Sequence, residues 1–241
     1  KLFRTLGLYK TVIFQASSDF EMKDIQRALG LDTDIYISED IGAQEFAKNL
    51  QPRLINKLKA VFISRISPKK NLLVALDVLK NVKSSIVYDI YGPIEDFEYW
   101  ERCKTAIKEL PSHIQVEYKG GLTPNEVIST LSEYDLFFMP TKGENYGHVI
   151  AEALCAGLPI LIADTTPWRN LENQGIGWDV PLKNLKAFSD VINYLASMPV
   201  EDHLGMRKTV LEWSKNKFAQ RDAIEANLNM FRYAYEKRKN K

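Results

Sequence analysis

The sequence predicts an α/β protein built on a doubly wound, parallel sheet. Five short apolar stretches alternate with helical patterns between residues 60 and 163, which is typical of right-handed βαβ units. The chain has 241 residues, of which 45% are apolar and 26% charged, so a sizeable core is expected and global disorder is not. Ligands of such folds bind beyond the carboxyl ends of the strands, near the helix N-termini. The informative loops are therefore 65–71, 92–95, 119–123, 140–147 and 164–169.

Each element of this regular region has its own signal. The leucines of residues 72–79 repeat at helical spacing. Residues 123–126 combine an N-cap threonine, a proline at the first helical position and a glutamate three residues after the cap. Gly157 and Pro159 end the last helix of the region. Strands are predicted over 60–64, 86–91, 114–118, 136–139 and 158–163, with helices over 72–79, 96–110, 147–156 and from Thr123 onward.

The two ends of the chain are less regular. Residues 11–18 are predicted to form a strand, and Ser18 with Glu21 forms a capping box. That box opens a helix that runs to Leu29 and is ended by Gly30. A further strand over 34–38, a mixed polar linker over 40–58 and one long helix over 218–241 complete the prediction.

Charge and composition exclude several classes of function. The chain has 32 Lys and Arg against 31 Asp and Glu, a formal net charge of +1, which argues against binding a nucleic acid by phosphate neutralisation. Its two cysteines and three histidines have neither disulfide nor metal-ligand spacing, so no metal site is predicted. No apolar run approaches the ~20 residues of a membrane span, and no signal peptide is visible. We expect a soluble, cytoplasmic protein, and the first residue, Lys1, favours a piece of something longer.

Residues 140–154 are the densest candidate for chemistry, because they join a strand end to a helix start. Gly143 and Gly147 permit tight turns and close approach of a ligand to the backbone. Unpaired amides at the helix start favour an anion such as a phosphate, while Glu144 and Glu152 are acceptors for hydroxyl groups. The plainer interpretation is that the Glu144 carboxylate interacts favourably with the positive end of the helix dipole and that Glu152 is an exposed helical residue.

A second candidate is the basic loop after the first strand of the regular region. Arg65 would pair with phosphate through its fork and Lys70 as a point charge. A solvated basic loop is the alternative. The loop lies on the same edge of the predicted sheet as Glu144, which favours a shared site.

These motifs together resemble the donor-binding half of the family 4 retaining glycosyltransferases. Glu144 and Glu152 are separated by seven residues and followed by Ala-Leu-Cys-Ala-Gly-Leu-Pro-Ile, which matches the family's E-A-M-A-x-G-x-P-V stretch almost residue by residue. The resemblance covers residues 60–200 and implies the C-terminal, Rossmann-like half of the two-domain GT-B fold. The other matching positions are Arg65, Lys70, Gly92 and Gly120.

The resemblance implies a site for a nucleotide-sugar, with Arg65, Lys70 and Glu144 as the catalytic residues. Arg65 and Lys70 would contact the diphosphate and offset the charge on the departing nucleotide. Glu144 would hold hydroxyls of the donor sugar and Glu152 the ribose, while His148 either touches a phosphate or is solvated. Backbone groups would complete the site: Asn145, Tyr146 and Gly147 at the sugar and distal phosphate, Tyr118, Lys119 and Gly120 at the base, and Gly92 after the second strand.

The resemblance also implies the reaction and its partners. Family members use no metal and no cofactor, and transfer a hexose from the nucleotide-diphosphate sugar to a glycan or lipid-linked acceptor with retention of configuration, in polysaccharide, lipopolysaccharide or glycolipid biosynthesis. The acceptor is bound mainly by an N-terminal domain with a catalytic histidine, which this chain lacks, so we expect the chain to be inactive alone. Residues 1–45 would be the end of that domain or a linker, 46–217 the donor-binding domain, and 218–241 a helix crossing towards the missing domain.

Two positions depart from the family pattern. Asn71 replaces the usual glycine after Lys70, and an asparagine tolerates the left-handed conformation that a glycine there would adopt. Residues 39–42, Glu-Asp-Ile-Gly, stand where members often have an asparagine-containing loop at the domain hinge. Two other classes stay open: a non-catalytic nucleotide-sugar-binding module, and a sugar-nucleotide epimerase or phosphorylase of the same fold.

Four further features have a plain and a functional interpretation. Residues 32–34 spell the D-x-D of metal-dependent glycosyltransferases, but follow a helix end, so a turn is predicted. Residues 164–169 either bring Thr165 and Thr166 to a sugar or phosphate, or form a helix cap with a packed Trp168. The basic end of the tail either contacts anionic lipid at the inner membrane face or is solvated. Core packing is predicted for Phe97, Tyr99 and Trp100.

Overall fold

The computed structural model describes residues 9, 12–42, 45–53, 57–219 and 222–239. It divides into two units, one of residues 43–218 and one that combines residues 1–42 with 219–241. The elements in chain order are β1 (Phe14–Ala16), α1 (Asp19–Leu29), β2 (Ile35–Ile37), β3 (Leu58–Ile63), α2 (Leu72–Leu79), β4 (Ile86–Tyr91), α3 (Phe97–Lys108), β5 (Ile114–Gly120), α4 (Val127–Ser132), β6 (Leu136–Met139), α5 (His148–Cys155), β7 (Ile160–Ala163), β8 (Gly177–Val180), α6 (Leu185–Ser197), α7 (Val200–Ala219) and α8 (Asp222–Lys239).

Six strands of the larger unit form one parallel sheet in the order β5-β4-β3-β6-β7-β8. From β3 the chain builds outward to one side, and from β6 to the other, which is the strand order of a doubly wound fold. The predicted fold class is thus confirmed. The order reverses between β3 and β6, and a ligand crevice is expected outside the carboxyl ends of these two strands.

The core lies on both faces of this sheet. β6 and β7 are buried along their whole length, which explains their continuous apolar sequence. The five strands predicted between residues 60 and 163 are present, with ends shifted by at most two residues. The helix predicted over 96–110 is α3, and the capping box of Thr123 and Glu126 opens a short 3-10 turn that continues into α4.

Three elements of the larger unit were not predicted: β8, α6 and α7. β8 starts at Gly177, whose φ is 153° and whose added Cβ would lie 2.1 Å from the carbonyl oxygen of Ile160. The strand is therefore specified by a close backbone approach rather than by an alternating pattern. The described residues of the tail predicted over 218–241 are helical, as the end of α7 (Val200–Ala219) and as α8 (Asp222–Lys239), while residues 220–221 and 240–241 lie outside the described residues.

The smaller unit contains β1, α1, β2 and α8, with β1 and β2 paired in parallel. The strands predicted over 11–18 and 34–38 are shorter than expected; residue 11 lies outside the described residues. Ser18 caps α1 by accepting from the Glu21 N–H at 3.3 Å, and Gly30 ends it with φ 117°. The Glu21 carboxylate accepts from the Ser17 N–H at 2.8 Å. The predicted capping box uses the N–H of the next residue, Ser18.

The predicted turn at the D-x-D sequence is confirmed, and no strand of the described chain precedes it directly. The Asp34 carboxylate accepts from the Tyr233 hydroxyl at 3.3 Å and pairs with Lys237 of α8. This pairing explains Asp34 without a metal. None of the described helices has the length and apolarity that a membrane crossing requires. Contact of the basic tail with lipid stays a prediction.

Two of the three aromatic residues at the start of α3 are in the core. Tyr99 and Trp100 are buried, and the Tyr99 hydroxyl accepts from the Leu73 N–H at 2.9 Å. For Phe97 the prediction is wrong, because its side chain is 72% exposed. Asp96, the N-cap of α3, starts the helix one residue before Phe97, and the ring points away from the core face.

A buried polar cluster closes the opposite, amino edge of the sheet. Arg207 donates to the carbonyl oxygens of Gly157, Gln51 and Ser132 at 2.9–3.1 Å. His203 is fully buried, and its Nε2 lies 3.0 Å from the Asp135 carbonyl oxygen. A carbonyl can only accept, so Nε2 carries the proton. The pKa of His203 is lowered to about 4, mainly by burial and with a smaller contribution from the charges of Arg207 and Arg53, although the bond to the Asp135 carbonyl opposes the shift.

We predict that His203 makes the protein acid-sensitive. Its pKa is about 4 when folded and 6.5 ordinarily, so the unfolded chain binds more protons between these values. The neutral imidazole contributes fully above pH 6.5, and this stability is lost as the pH falls towards 4, at up to about 1.4 kcal/mol per pH unit. Urea unfolding from pH 7 to 4.5 measures the slope.

The variant His203→Gln keeps an amide donor but does not titrate. Its free energy of unfolding is expected to fall less steeply over this range. Burial raises the pKa of Asp135, which gives an opposing contribution in both proteins, so the difference between them isolates His203. Identical slopes for the two proteins would contradict the assignment.

Candidate functional site

The loops after β3 and β6 meet at the point where the strand order reverses. The Lys142 N–H donates to the Lys69 carbonyl at 2.9 Å, and the Asn71 side-chain amide donates to the Pro140 carbonyl at 2.9 Å. The two predicted candidate segments are therefore joined by backbone and side-chain hydrogen bonds. Their expected position on one edge of the sheet is confirmed.

Asn71 has the left-handed conformation that was predicted for this position. Its φ of 65° and ψ of 33° are left-handed, and it is the N-cap of α2. The residue is buried, and its side chain is hydrogen-bonded to the facing loop. An asparagine thus serves where a glycine is usual, as predicted.

Lys70 and Glu144 form a buried ion pair across the crevice. The Lys70 Nζ lies 2.7 and 2.8 Å from the two carboxylate oxygens, and each side chain is only 10% exposed. The Thr141 hydroxyl donates to the same carboxylate at 3.0 Å. Since desolvation of two charges offsets most of their attraction, a buried pair is weak evidence for stability. A cation and a carboxylate held at a ligand edge are better suited to a polar, charged ligand.

The N-terminus of α5 lies beside this pair. Gly147 is the N-cap, with φ 87°, and a Cβ at this position would lie 2.9 Å from Ile150 Cδ1 and 3.3 Å from Trp168 Nε1. The first amides of a helix have no acceptor within the helix and favour an anion. Of the predicted residues around this turn, Tyr146 is buried, whereas Asn145 and His148 are exposed.

Glu152 lies one turn further along α5. It is half-buried, so its interpretation as an exposed helical residue is wrong. Burial raises the pKa of the Glu152 carboxyl, while His148 lowers it. A half-buried carboxylate on the helix that carries the anion-favouring end can accept hydrogen bonds from hydroxyl groups of the same ligand.

Arg65 is on the same loop as Lys70 but has another partner. Its guanidinium lies 2.7 Å from the Glu95 carboxylate, and the two side chains are 57% and 45% exposed. Such an exposed pair contributes about 0–1 kcal/mol. The guanidinium is therefore not strongly held in this position.

A second group of predicted residues lies at the ends of β4 and β5. Gly92 has φ 131°, and a Cβ there would lie 2.0 Å from the Ser64 carbonyl oxygen, so packing alone requires this glycine. The Tyr118 hydroxyl donates to the Gly92 carbonyl at 2.9 Å, and exposed Lys119 pairs with its neighbour Glu117. A Cβ added at Gly120 would meet nothing within 4 Å, so the surface beside it is open.

The loop after β7 supports the site rather than forming a helix cap. The Thr165 hydroxyl donates to the Thr141 carbonyl at 2.7 Å, and Thr166 is fully buried. The alternative that Thr166 reaches a ligand is therefore wrong, and so is the helix cap, since residues 164–170 are not helical. Packing of Trp168 is confirmed, because it is 8% exposed.

Two residues of the site were missed from the sequence. Thr141 was not singled out, although it lies just after β6 and three residues before Glu144. Trp168 was considered only as packing, although a buried indole N–H usually finds an acceptor; here it donates to the Tyr146 carbonyl at 2.6 Å. Among the described residues, no group of three or more His, Cys, Asp or Glu side chains could hold a metal ion.

The family model described as "Glycosyl transferases group 1" matches residues 45–216, more than half of the chain. The chain belongs to this glycosyltransferase family. The matched region contains the Lys70–Glu144 pair, α5 and the entire six-stranded sheet.

The chain is similar to curated glycosyltransferases of bacterial polysaccharide biosynthesis. The chain is 26% identical over 170 residues to the putative colanic acid biosynthesis glycosyltransferase WcaL of Salmonella typhimurium, which covers 68% of this chain and 41% of WcaL. It is 27% identical over 164 residues to the amylovoran biosynthesis glycosyltransferase AmsK of Erwinia amylovora, covering 63% of this chain and 39% of AmsK. The chain thus spans about two fifths of the length of these relatives.

Solved glycosyltransferases share the fold. A glycosyltransferase from Rickettsia africae superimposes with a TM-score of 0.75 at 17% identity, covering 98% of this chain and 67% of that one. HepE of Anabaena, in complex with UDP and glucose, superimposes with a TM-score of 0.69 at 16% identity, covering 91% of this chain and 61% of that one. These neighbours have the GT-B fold, in agreement with the prediction.

We predict that Lys70 and Glu144 are strongly coupled in stability. Replacing Lys70 by Met leaves a buried carboxylate without its cation, which costs about 3–5 kcal/mol. The double variant Lys70→Met with Glu144→Gln removes both charges and is expected to recover most of this loss. Urea unfolding of the wild type, both single variants and the double variant measures the coupling. Additive effects, with no recovery in the double variant, would show that the charges do not interact.

Proposed function

We propose that this chain is the donor-binding part of a glycosyltransferase that moves a hexose from a nucleoside-diphosphate sugar to a glycan or lipid-linked acceptor. The observation that carries the proposal is the buried Lys70–Glu144 pair at the switch point, next to the N-terminus of α5. A cation and helix amides suit a diphosphate, and a carboxylate suits sugar hydroxyls. Both kinds of group occur here at one ligand edge.

Lys70 and Glu144 would exchange partners when the donor binds. The diphosphate offers more negative charge than one carboxylate, so it competes for the Lys70 ammonium. Glu144 then accepts from hydroxyls of the donor sugar. Arg65 leaves its exposed partner Glu95 for the diphosphate at little cost, since that pair is weak.

The rest of the nucleotide would lie along α5 and the ends of β4 and β5. Glu152, half-buried one turn into α5, would accept from the ribose hydroxyls. The base would lie beside Tyr118, Lys119 and Gly120, where the space next to Gly120 is open. His148, exposed at the start of the helix, would be near the phosphates.

The reaction breaks the bond between the anomeric carbon and the leaving phosphate oxygen. With retention, the acceptor oxygen forms its bond to that carbon on the same face, and its proton goes to the leaving phosphate. Lys70, Arg65 and the amides of the α5 N-terminus offset the negative charge that develops on this phosphate, without a metal. This charge compensation is the catalytic contribution proposed for this part of the enzyme.

The relatives support a role in polysaccharide biosynthesis. WcaL and AmsK are named for colanic acid and amylovoran biosynthesis. The chain spans only part of such proteins, so we propose that the acceptor is bound mainly by a further domain and that this chain alone does not turn over.

Calorimetric titration with UDP, GDP and ADP, and with their hexose derivatives, tests the proposed function. We expect one nucleoside diphosphate to bind best, and its hexose derivative to bind as well or better. No binding of any nucleotide or nucleotide-sugar at millimolar concentration would refute a donor site.

We predict different effects of the two glutamates on binding. Glu152→Ala removes the ribose acceptor and should weaken the free nucleotide and the nucleotide-sugar alike, by roughly 10- to 100-fold. Glu144→Ala should weaken binding of the nucleotide-sugar more than binding of the free nucleotide, since the Glu144 carboxylate is proposed to contact only the sugar. Calorimetry measures both ligands on both variants.

The exposed Glu133, at the end of α4, provides a control. Glu133→Ala should bind both ligands like the wild type. If Glu144→Ala and Glu152→Ala weakened the two ligands by equal factors, the division between sugar and ribose would be wrong.

A further inference from the structure

We infer that Trp168 is a positioning residue of the donor site, which fixes the peptide between Tyr146 and Gly147 so that its N–H faces the ligand. The inference rests on the proposed function. It concerns a residue on the loop after β7, which is separate in sequence from the two candidate segments.

The contact that carries the inference is a hydrogen bond to the backbone. The Trp168 indole Nε1 donates to the Tyr146 carbonyl at 2.6 Å, and both residues are buried. A trans peptide is planar, and its C=O and N–H point in opposite directions. A bond that holds the Tyr146 carbonyl towards Trp168 therefore directs the Gly147 N–H away from Trp168.

The Gly147 N–H is a buried donor without an acceptor among the described residues. A buried N–H without an acceptor is costly, and an anion at the helix N-terminus would satisfy it. The distal phosphate of the donor is the anion expected there.

Packing holds the indole in this orientation. Its ring contacts the rings of Tyr146, Trp213 and Phe218, at centroid distances of 5.8, 6.5 and 6.4 Å. The backbone N–H of Trp168 donates to the Thr166 hydroxyl at 3.3 Å, which holds the loop that carries the indole. The left-handed turn at Gly147 leaves no room for a side chain beside the indole, since an added Cβ would lie 3.3 Å from Nε1.

Trp213 shows what packing alone looks like in this cluster. It touches Trp168 and Phe218, yet its indole N–H makes no hydrogen bond to any described residue. The bond from Trp168 to the turn is therefore not a general consequence of packing tryptophans together. It is specific to the residue that borders the donor loop.

The test compares Trp168→Phe with Trp213→Phe, since both keep an aromatic ring and only the first removes the bond to the turn. Calorimetry is done with the nucleoside diphosphate that binds the wild type best among UDP, GDP and ADP, and with its monophosphate. We expect Trp168→Phe to bind the diphosphate roughly tenfold more weakly, as for one lost hydrogen bond, and the monophosphate nearly as well as the wild type. Trp213→Phe should bind both within about twofold of the wild type.

Hydrogen exchange without ligand provides a second readout. The peptide covering residues 144–150 should exchange faster in Trp168→Phe and unchanged in Trp213→Phe, with the rest of the domain unaffected in both. Unchanged diphosphate affinity in Trp168→Phe, or an equal loss for diphosphate and monophosphate, would overturn the inference. If the wild type binds no nucleotide, the proposed function fails, and hydrogen exchange alone then decides whether Trp168 holds the turn.

Discussion

The rest of the site depends on one interaction, the buried ion pair between Lys70 and Glu144. Its two side chains come from loops that follow neighbouring strands on either side of the switch point, and each is 10% exposed. A cation in this position cannot be left alone, because an unpaired buried charge is costly. The carboxylate compensates for it in the free protein, and in the proposed complex the diphosphate takes that place.

The neighbouring contacts keep this arrangement in place. Asn71 ties the Lys70 loop to Pro140, Thr141 donates to the Glu144 carboxylate, and Thr165 bonds the backbone of Thr141. At the other edge of the sheet, the Arg207 guanidinium donates hydrogen bonds to three backbone carbonyls. The Arg207 guanidinium is thus used internally, whereas the carboxyl edge combines charged and backbone groups suited to a ligand.

Local features of the sequence predicted much of this structure. The left-handed Asn71, the capping box at Thr123 and the strand–helix alternation each depend on a few neighbouring residues, and all are confirmed. The ion pair joins residues 74 positions apart, and the bond from Trp168 to Tyr146 spans 22 positions. Neither could be predicted, because both depend on the order of strands in the sheet. The strand β8 was missed because a glycine contact, rather than a pattern, specifies it.

The most direct test of the account is a crystal structure of the chain with the nucleoside-diphosphate sugar that calorimetry selects. In this complex we expect the Lys70 Nζ to contact a phosphate oxygen and the Glu144 carboxylate to accept from hydroxyls of the sugar, so that the Lys70–Glu144 pair is no longer bidentate. A complex in which Lys70 and Glu144 remain paired, with the diphosphate bound elsewhere, would contradict it.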